Sequence, residues 1–188
     1  MAVMQPHLNG RKKALDAGCG SGFFSKSFCD AGLDTTSVDY SKEALELTRR
    51  ITGGKSKVVK HDLLSKDLTR VVSERFDLIF SDGLLEHFSF EEQSQIVQNF
   101  KSLLNNNGVL ITFVPNRWSP WELIRPFFMP GIHETPFILR NLVSLQVKNG
   151  LKVIEKNGIN TLPFKFSPDK LLGRSFGMLL YTVAKKDE

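Results

Sequence analysis

Three alternating glycines, set between a short apolar segment and a helix-compatible one, place the strongest constraint on this chain. Residues 14–22 read Ala-Leu-Asp-Ala-Gly-Cys-Gly-Ser-Gly, and residues 23–31 follow directly. Because glycine has no Cβ, such a turn adopts positive φ angles and lets a ligand approach the backbone. The next helix directs unpaired N–H groups and the positive end of its dipole toward the same space. The pattern predicts a nucleotide or cofactor loop, against the alternative of a glycine turn that binds nothing.

The spacing of these glycines excludes two common phosphate-binding motifs. A dinucleotide fingerprint, G-x-G-x-x-G, requires glycine where the chain has Phe23 or Ser25. A P-loop, G-x-x-x-x-G-K-[ST], requires glycine at Arg49 to match Gly54-Lys55-Ser56. The pattern that remains, D-x-G-x-G-x-G at residues 16–22, resembles the first motif of class I S-adenosylmethionine-dependent methyltransferases.

Strand-like and helix-like segments alternate along the chain. Apolar and β-branched segments predict strands at residues 13–17, 34–40, 56–61, 76–81, 109–114, 151–156 and 176–184. Helices are predicted after the glycine turn, after the N-cap Ser41, from the capping box Ser89–Glu92 to the stop at 105–108, and from Thr135-Pro136 onward. This alternation indicates an α/β fold: a doubly wound, mostly parallel sheet with helices on both faces. Ligands of such sheets bind beyond the carboxyl ends of the strands.

Acidic residues follow the next three predicted strands. Asp39 ends the second strand, where one carboxylate can accept hydrogen bonds from both hydroxyls of a ribose. Asp62 follows the third strand and could accept from an adenine amino group, with Leu63 as an apolar wall. Asp82, beside Ser81, follows the fourth strand. A single aspartate after a strand is often only a turn or helix cap. The functional interpretation therefore depends on all three aspartates, which follow successive strands after the glycine motif.

The resemblance to the methyltransferase family extends over residues 13–114 and is only general beyond them. It implies a Rossmann-like sheet of seven strands with an antiparallel last strand, and S-adenosylmethionine as the cofactor. The segment 84–88, Leu-Leu-Glu-His-Phe, is similar to the "LEH" stretch of the family's small-molecule enzymes. The first strand begins near Lys13, so the family's N-terminal helices are expected to be missing or much reduced. Donor-binding roles are implied for Asp16, Gly18, Cys19, Gly20, Gly22, Asp39, Tyr40, Asp62, Leu63, Ser81 and Asp82.

The sequence gives less information about the residues that would bind the methyl acceptor. His87 is the candidate general base, since its ordinary pKa lies near neutrality, although a histidine that caps or packs a helix start is an equal alternative. Residues 115–134 form a lid-like insertion rich in aromatic residues and proline, which we expect to meet a lipophilic or acidic acceptor, to rest on a membrane surface, or only to cover its own core. Candidate substrate residues are Trp118, Trp121, Arg125, Phe128 and His133, with Met129 among the apolar ones.

Composition and charge narrow the remaining possibilities. The 188 residues predict one domain over 1–188, and no apolar stretch approaches the length of a membrane span. No secretion signal is recognised and the two cysteines are expected to be reduced thiols, so the chain is expected to be cytoplasmic. The cysteines lack metal-ligand spacing, so no metal is expected. The net charge of +5 comes from residues 115–188. These residues are expected to form either a solvated basic face or an electropositive rim that attracts acidic partners.

The predicted function is transfer of a methyl group from S-adenosylmethionine to a small molecule. An RNA or protein acceptor is an alternative, but nucleic acid is disfavoured because residues 81–84 read Ser-Asp-Gly-Leu and lack the Asn/Asp-Pro-Pro-aromatic motif of base-methylating members. A third alternative is a non-catalytic regulatory subunit that binds the donor. A homodimer or a partner subunit that closes the site remains open.

Overall fold

The computed structural model describes residues 3–128, 131, 134–161 and 167–186, and within them seven strands form one sheet. The strands are β1 (Lys13–Ala17), β2 (Asp34–Asp39), β3 (Lys57–Lys60), β4 (Phe76–Asp82), β5 (Leu104–Pro115), β6 (Leu151–Ile159) and β7 (Leu179–Lys186). Their order across the sheet is β3-β2-β1-β4-β5-β7-β6. β7 runs antiparallel to both neighbours, whereas the other pairs are parallel. The predicted doubly wound α/β sheet with an antiparallel last strand is therefore confirmed.

Helices cover both faces of this sheet. They are α1 (Phe23–Asp30), α2 (Lys42–Ile51), α3 (Leu68–Val72), α4 (Phe90–Leu103), α5 (Trp121–Phe128), α6 (Leu139–Lys148) and α7 (Asp169–Phe176). A 3-10 turn, Leu85–His87, lies between β4 and α4. Within the described ranges, none of these helices has both the length and the apolar character that a bilayer crossing requires.

Two apolar layers form because successive side chains of a strand point to opposite faces. In β4, Ile79 belongs to the layer that contains Ile96 and Phe100 of α4. The next residue, Phe80, belongs to the other layer and meets Phe28 of α1 edge to face, with ring centroids 5.6 Å apart. Burying such side chains contributes about 1.5–3 kcal/mol each. The strand ends near the glycine turn are thereby held from both sides.

Two predicted helix starts are confirmed by their cap geometry. The Ser41 hydroxyl accepts a hydrogen bond from the backbone N–H of Ala44 at the start of α2. At the start of α4, the Ser89 hydroxyl accepts from the Glu92 N–H, and the Glu92 carboxylate accepts from the Ser89 N–H. These side chains satisfy N–H groups that have no partner within the helix.

The predicted helix start at Thr135-Pro136 is wrong, because α6 begins at Leu139. Residues before it are extended. The Phe137 N–H donates to the Pro115 carbonyl (2.9 Å), and the Phe137 carbonyl accepts from the Arg117 N–H (2.8 Å). Pairing with the chain just beyond β5 therefore overrides the local helix signal.

The predicted end of the helix is close to the observed one, because α4 ends at Leu103, but residues 105–108 belong to β5 and not to a turn. Phe76 pairs with Leu104 and Leu78 with Val109, so the extra residues form an irregularity in the ladder. A Cβ on Gly108 would lie 2.8 Å from the Phe76 carbonyl oxygen. The glycine permits a close approach of two strands rather than ending a helix.

The last strand begins later than predicted, because residues 169–176 form α7. This helix packs on β6 where Gly173 meets Gly158, and a Cβ on either glycine would overlap the backbone of the other. These two glycines allow the close contact, and the prediction of a strand from residue 176 did not take them into account.

We expect Phe100→Ala to lower the free energy of unfolding by about 3–5 kcal/mol, because it leaves a cavity beneath β4. Phe100 is 1% exposed. The matched control is Phe90→Ala in the same helix, whose ring is 53% exposed and whose loss should cost about 1 kcal/mol or less. Urea denaturation followed by circular dichroism measures both, and equal losses would contradict the assigned core.

Candidate functional site

The glycine turn follows β1 and lies against the end of β2. The Gly18 N–H donates to the Val38 carbonyl (2.9 Å). Gly18, Gly20 and Gly22 have φ values of +74°, +48° and +77°, a region that favours glycine. A Cβ on Gly20 would have no atom within 4 Å, whereas one on Gly22 would lie 2.7 Å from the Cα of Thr48. Gly20 thus faces open space, and Gly22 allows α1 to pack closely on α2.

Asp39 fixes the shape of this turn. One carboxylate oxygen accepts a hydrogen bond from the Gly20 N–H (3.0 Å), and the other accepts from the Ser41 N–H (2.9 Å). The side chain is buried at the end of β2. Each oxygen keeps a further lone pair that can accept from a ligand.

A cavity of about 740 Å³ opens beyond the carboxyl ends of β1 to β4. It brings together seven of the predicted site residues: Gly18, Gly20, Asp39, Tyr40, Asp62, Leu63 and His87. Its volume lies in the range of small-molecule and cofactor sites. Tyr40 is 79% exposed and His87 is exposed, so both lie at the rim.

A second cavity of about 180 Å³ also borders the turn, and Gly18 and Gly20 line both cavities. The predicted residues Asp16, Cys19 and Asp82 line it. Burial raises the pKa of the Asp16 carboxyl to about 6, although the Ser25 hydroxyl donates a hydrogen bond to it (2.6 Å). Burial likewise raises the pKa of Asp82 to about 6. These carboxyl groups favour a ligand with positive charge or N–H donors.

Three residues that were predicted to bind the methyl donor differ from one another in their surroundings. Gly22 packs against Thr48, as described above, and lines neither cavity. The Cys19 thiol lies 3.4 Å from the Thr48 hydroxyl, and burial raises its pKa to about 12. The Ser81 hydroxyl is buried without a hydrogen-bond partner among the described residues.

Sequence reasoning missed several residues that line the larger cavity, including Ala44, His61 and Phe88. His61 could have been found, because it directly precedes Asp62 at the end of a predicted strand. Its Nε2 lies 2.9 Å from the Asp67 carboxylate. Ala44 and Phe88 carry no polar signal, and only the packing of α2 and the 3-10 turn brings them to the site.

Of the predicted substrate residues, Trp118, Trp121 and Arg125 have described side chains, and their role stays a prediction. Arg125 makes two ion pairs within its own neighbourhood, with Glu122 and Glu134, each at 3.1 Å. Trp118 is 65% exposed and Trp121 half-buried. His133, Met129 and the Phe128 side chain lie outside the described residues.

One group of side chains could contact a cation. Glu86, His87 and Glu134 each offer an atom, and these atoms lie within 4.8 Å of one another. The Glu134 carboxylate is already bound by Arg125, so a metal ion there would compete with this ion pair. The absence of a metal therefore stays a prediction.

Comparisons with known proteins agree with one another. A family model described as "Methyltransferase domain" matches residues 15–110. The chain is 30% identical over 132 residues to the ubiquinone biosynthesis O-methyltransferase of Histophilus somni, covering 66% of this chain and 55% of that protein. It spans about half the length of the curated relatives it matches.

Solved structures extend the similarity of fold to the whole chain. A SAM-dependent methyltransferase from Archaeoglobus fulgidus superposes with a TM-score of 0.75 at 21% identity, covering 98% of this chain and 92% of that one. The N-methyltransferase NodS from Bradyrhizobium japonicum, solved with S-adenosyl-L-homocysteine, superposes with a TM-score of 0.71 at 14% identity, covering 100% and 85%.

We expect Cys19 to resist alkylation, because the thiolate is the reacting species and its pKa is raised to about 12. In a Cys29→Ser variant, Cys19 is the sole cysteine. Iodoacetamide at pH 8 should modify it at least about 100-fold more slowly than glutathione. Mass spectrometry follows the reaction, the urea-unfolded variant is the control, and equal rates before and after unfolding would contradict the buried position.

Proposed function

The chain belongs to the family of class I S-adenosylmethionine-dependent methyltransferases, and we propose that it transfers a methyl group from this donor to a small-molecule acceptor. The observation that carries the proposal is the Asp39 carboxylate, which supports the glycine turn and borders the larger cavity. The open space beside Gly20 and the carboxyl groups that line the two cavities fit an adenosine and a positively charged methionine group.

For each part of the methyl donor, the two cavities offer a residue of suitable chemistry. Asp39 accepts hydrogen bonds from the ribose hydroxyls, and Asp62 with Leu63 borders the adenine. Asp16 and Asp82 lie where the methionine amino group and sulfur are expected. The bound donor supplies a methyl group on positively charged sulfur, so the chain mainly aligns the reactants. Such alignment can supply roughly 7–11 kcal/mol of the barrier reduction.

His87 stays the candidate base for an acceptor that must lose a proton. Its ring is exposed at the rim of the larger cavity, next to the half-buried Phe88. From this position it can exchange protons with solvent while it faces the bound acceptor.

The lid-like segment supports an acceptor with an apolar part. In α5, Leu123 and Phe127 are 79% and 84% exposed, and Trp118 is exposed just before the helix. The Histophilus relative is named for an O-methylation in ubiquinone biosynthesis, which agrees with a small apolar acceptor. A peripheral contact with a membrane would use the same side chains.

Two other functions differ from this one in a measurable way. A regulatory subunit would bind the donor and its demethylated product without transferring the methyl group under any condition. An RNA or protein methyltransferase would transfer it to a macromolecule but not to small acceptors. Incubation with donor labelled in the methyl group, followed by separation of products by size, distinguishes the three.

We expect Asp39→Asn to weaken S-adenosylhomocysteine binding at least about 10-fold, because a hydrogen bond to a charged group contributes about 1.5–3 kcal/mol. The new amide also presents N–H groups to the N–H groups of Gly20 or Ser41. The matched control, Asp34→Asn, alters an exposed carboxylate at the start of the same strand and should change affinity less than about 2-fold. Isothermal titration calorimetry measures both, and unchanged affinity of Asp39→Asn would contradict the donor site.

We expect a Leu123→Ser/Phe127→Ser double variant to lose binding to vesicles of anionic phospholipid, if α5 contacts a membrane. The matched control is Val147→Ser/Ile154→Ser, which removes exposed apolar side chains elsewhere. Co-sedimentation measures the bound fraction. Failure of the unmodified protein to sediment with the vesicles would contradict the membrane contact, and the methyl-transfer proposal would stand.

A further inference from the structure

A cavity of about 430 Å³ is lined by residues of α4, of α6 and of the extended segment before α6, and we call it the α6 cavity. Another cavity, of about 440 Å³, adjoins it and also adjoins the larger cavity of the candidate site. This adjoining cavity shares His87 and Phe88 with the larger cavity, and Phe88, Ser89 and Thr135 with the α6 cavity. The three cavities therefore follow one another along residues 87–89.

Apolar residues make up one part of the lining of the α6 cavity. They are Phe88, Phe90, Pro136 and Phe137. Phe137 is 7% exposed, and its backbone is paired with the chain just beyond β5, so its position is fixed by the sheet. Aromatic side chains of this kind favour contact with the ring or chain of an apolar ligand.

Polar residues of α6 make up another part of the lining. Asn141, Ser144 and Lys148 stand at positions i, i+3 and i+7, a spacing that places them on one face of the helix, and all three line the α6 cavity. Leu142 and Leu145 of the same helix are buried in the core. Among the residues that the structure describes, none forms a hydrogen bond or ion pair with the side chains of Asn141, Ser144 and Lys148. These side chains offer N–H and O–H donors to a ligand.

The ammonium group of Lys148 is located by its contact with Phe90. Its Nζ lies 5.5 Å from the centre of the Phe90 ring, and both residues line the α6 cavity. Glu86 and Glu134 line the adjoining cavity, but no carboxylate of the described residues lines the α6 cavity. The α6 cavity thus combines apolar contact with one cation and several hydrogen-bond donors.

We propose that the α6 cavity binds an organic anion with an aromatic or other apolar body, and that Lys148 selects for its anionic group. The inference rests on the proposed methyl transfer and specifies its substrate class. An acceptor that reaches from the larger cavity into the α6 cavity carries a carboxylate or phosphate at the end distant from the methyl donor.

Charge decides between the classes of ligand that would fit the apolar residues. A carboxylate accepts charge-assisted hydrogen bonds from Lys148, which a neutral hydroxyl replaces only with weaker ones, and an ammonium group is repelled. Lys148 is exposed, and an ion pair in contact with water contributes little to affinity. The apolar body therefore supplies most of the affinity, and Lys148 determines which terminal group is accepted.

The test uses three probes with the same ring and chain length, phenylpropanoate, phenylpropanol and phenylpropylamine. Isothermal titration calorimetry measures their binding to the protein saturated with S-adenosylhomocysteine. We expect phenylpropanoate to bind at least about 5-fold more tightly than the other two. Lys148→Met should remove this preference by weakening phenylpropanoate at least about 5-fold, and it should change phenylpropanol affinity less than about 2-fold. Lys148→Arg should retain the preference.

The matched control is Lys152→Met, which removes an exposed lysine in β6 and should leave all three affinities unchanged. The inference is overturned if phenylpropanoate does not bind, if phenylpropanol or phenylpropylamine binds as tightly, if Lys148→Met weakens all probes equally, or if phenylpropanoate displaces S-adenosylhomocysteine. Titration of the same samples with S-adenosylhomocysteine separates the two proposals. Loss of that binding contradicts the proposed function, whereas its presence without the preference contradicts only the anion site.

Discussion

The carboxylate of Asp39 holds the glycine turn in a shape that leaves open space beside Gly20. The residues with positive φ values in this turn are glycines, which have no side chains. Packing of their own side chains therefore cannot fix the conformation of the turn. Asp39 accepts from the N–H of Gly20 on one side and from that of Ser41 on the other, which joins β1, β2 and α2 at a single point. Donor binding, as proposed, depends on the same carboxylate, so the support of the loop and the recognition of the ligand are combined in one residue.

Three carboxyl groups with raised pKa values lie at this end of the sheet. Asp16, Asp82 and Glu86 are each largely removed from water, and burial raises the pKa of all three. A chain selected for stability alone would replace such groups with apolar ones, because a desolvated carboxylate without a cation is costly. Their retention beside the cavities is typical of a site that binds positively charged groups.

Much of the fold could be predicted from local patterns, because the strands are apolar and their ends carry turn and cap residues. The site around Asp39 followed from the rule that ligands lie beyond the carboxyl ends of parallel strands. The errors came from distant contacts. Phe137 is extended because it pairs with Pro115, and Gly108 permits two strands to approach, neither of which is visible in local sequence. The role of Arg125 toward a substrate stays a prediction, and the sequence did not reveal its ion pairs with Glu122 and Glu134.

The pairing of Asn116 with Phe137 also affects how the stretch between them can change in evolution. The intervening stretch leaves and rejoins the sheet at neighbouring points, so its two ends are fixed by the scaffold. Because the entropy of closing a loop rises only slowly with its length, residues within it can be exchanged or inserted at small cost to the sheet. If this stretch meets the acceptor as proposed, acceptor preference can diverge among homologous proteins while the half of the molecule proposed to hold the nucleoside remains the same.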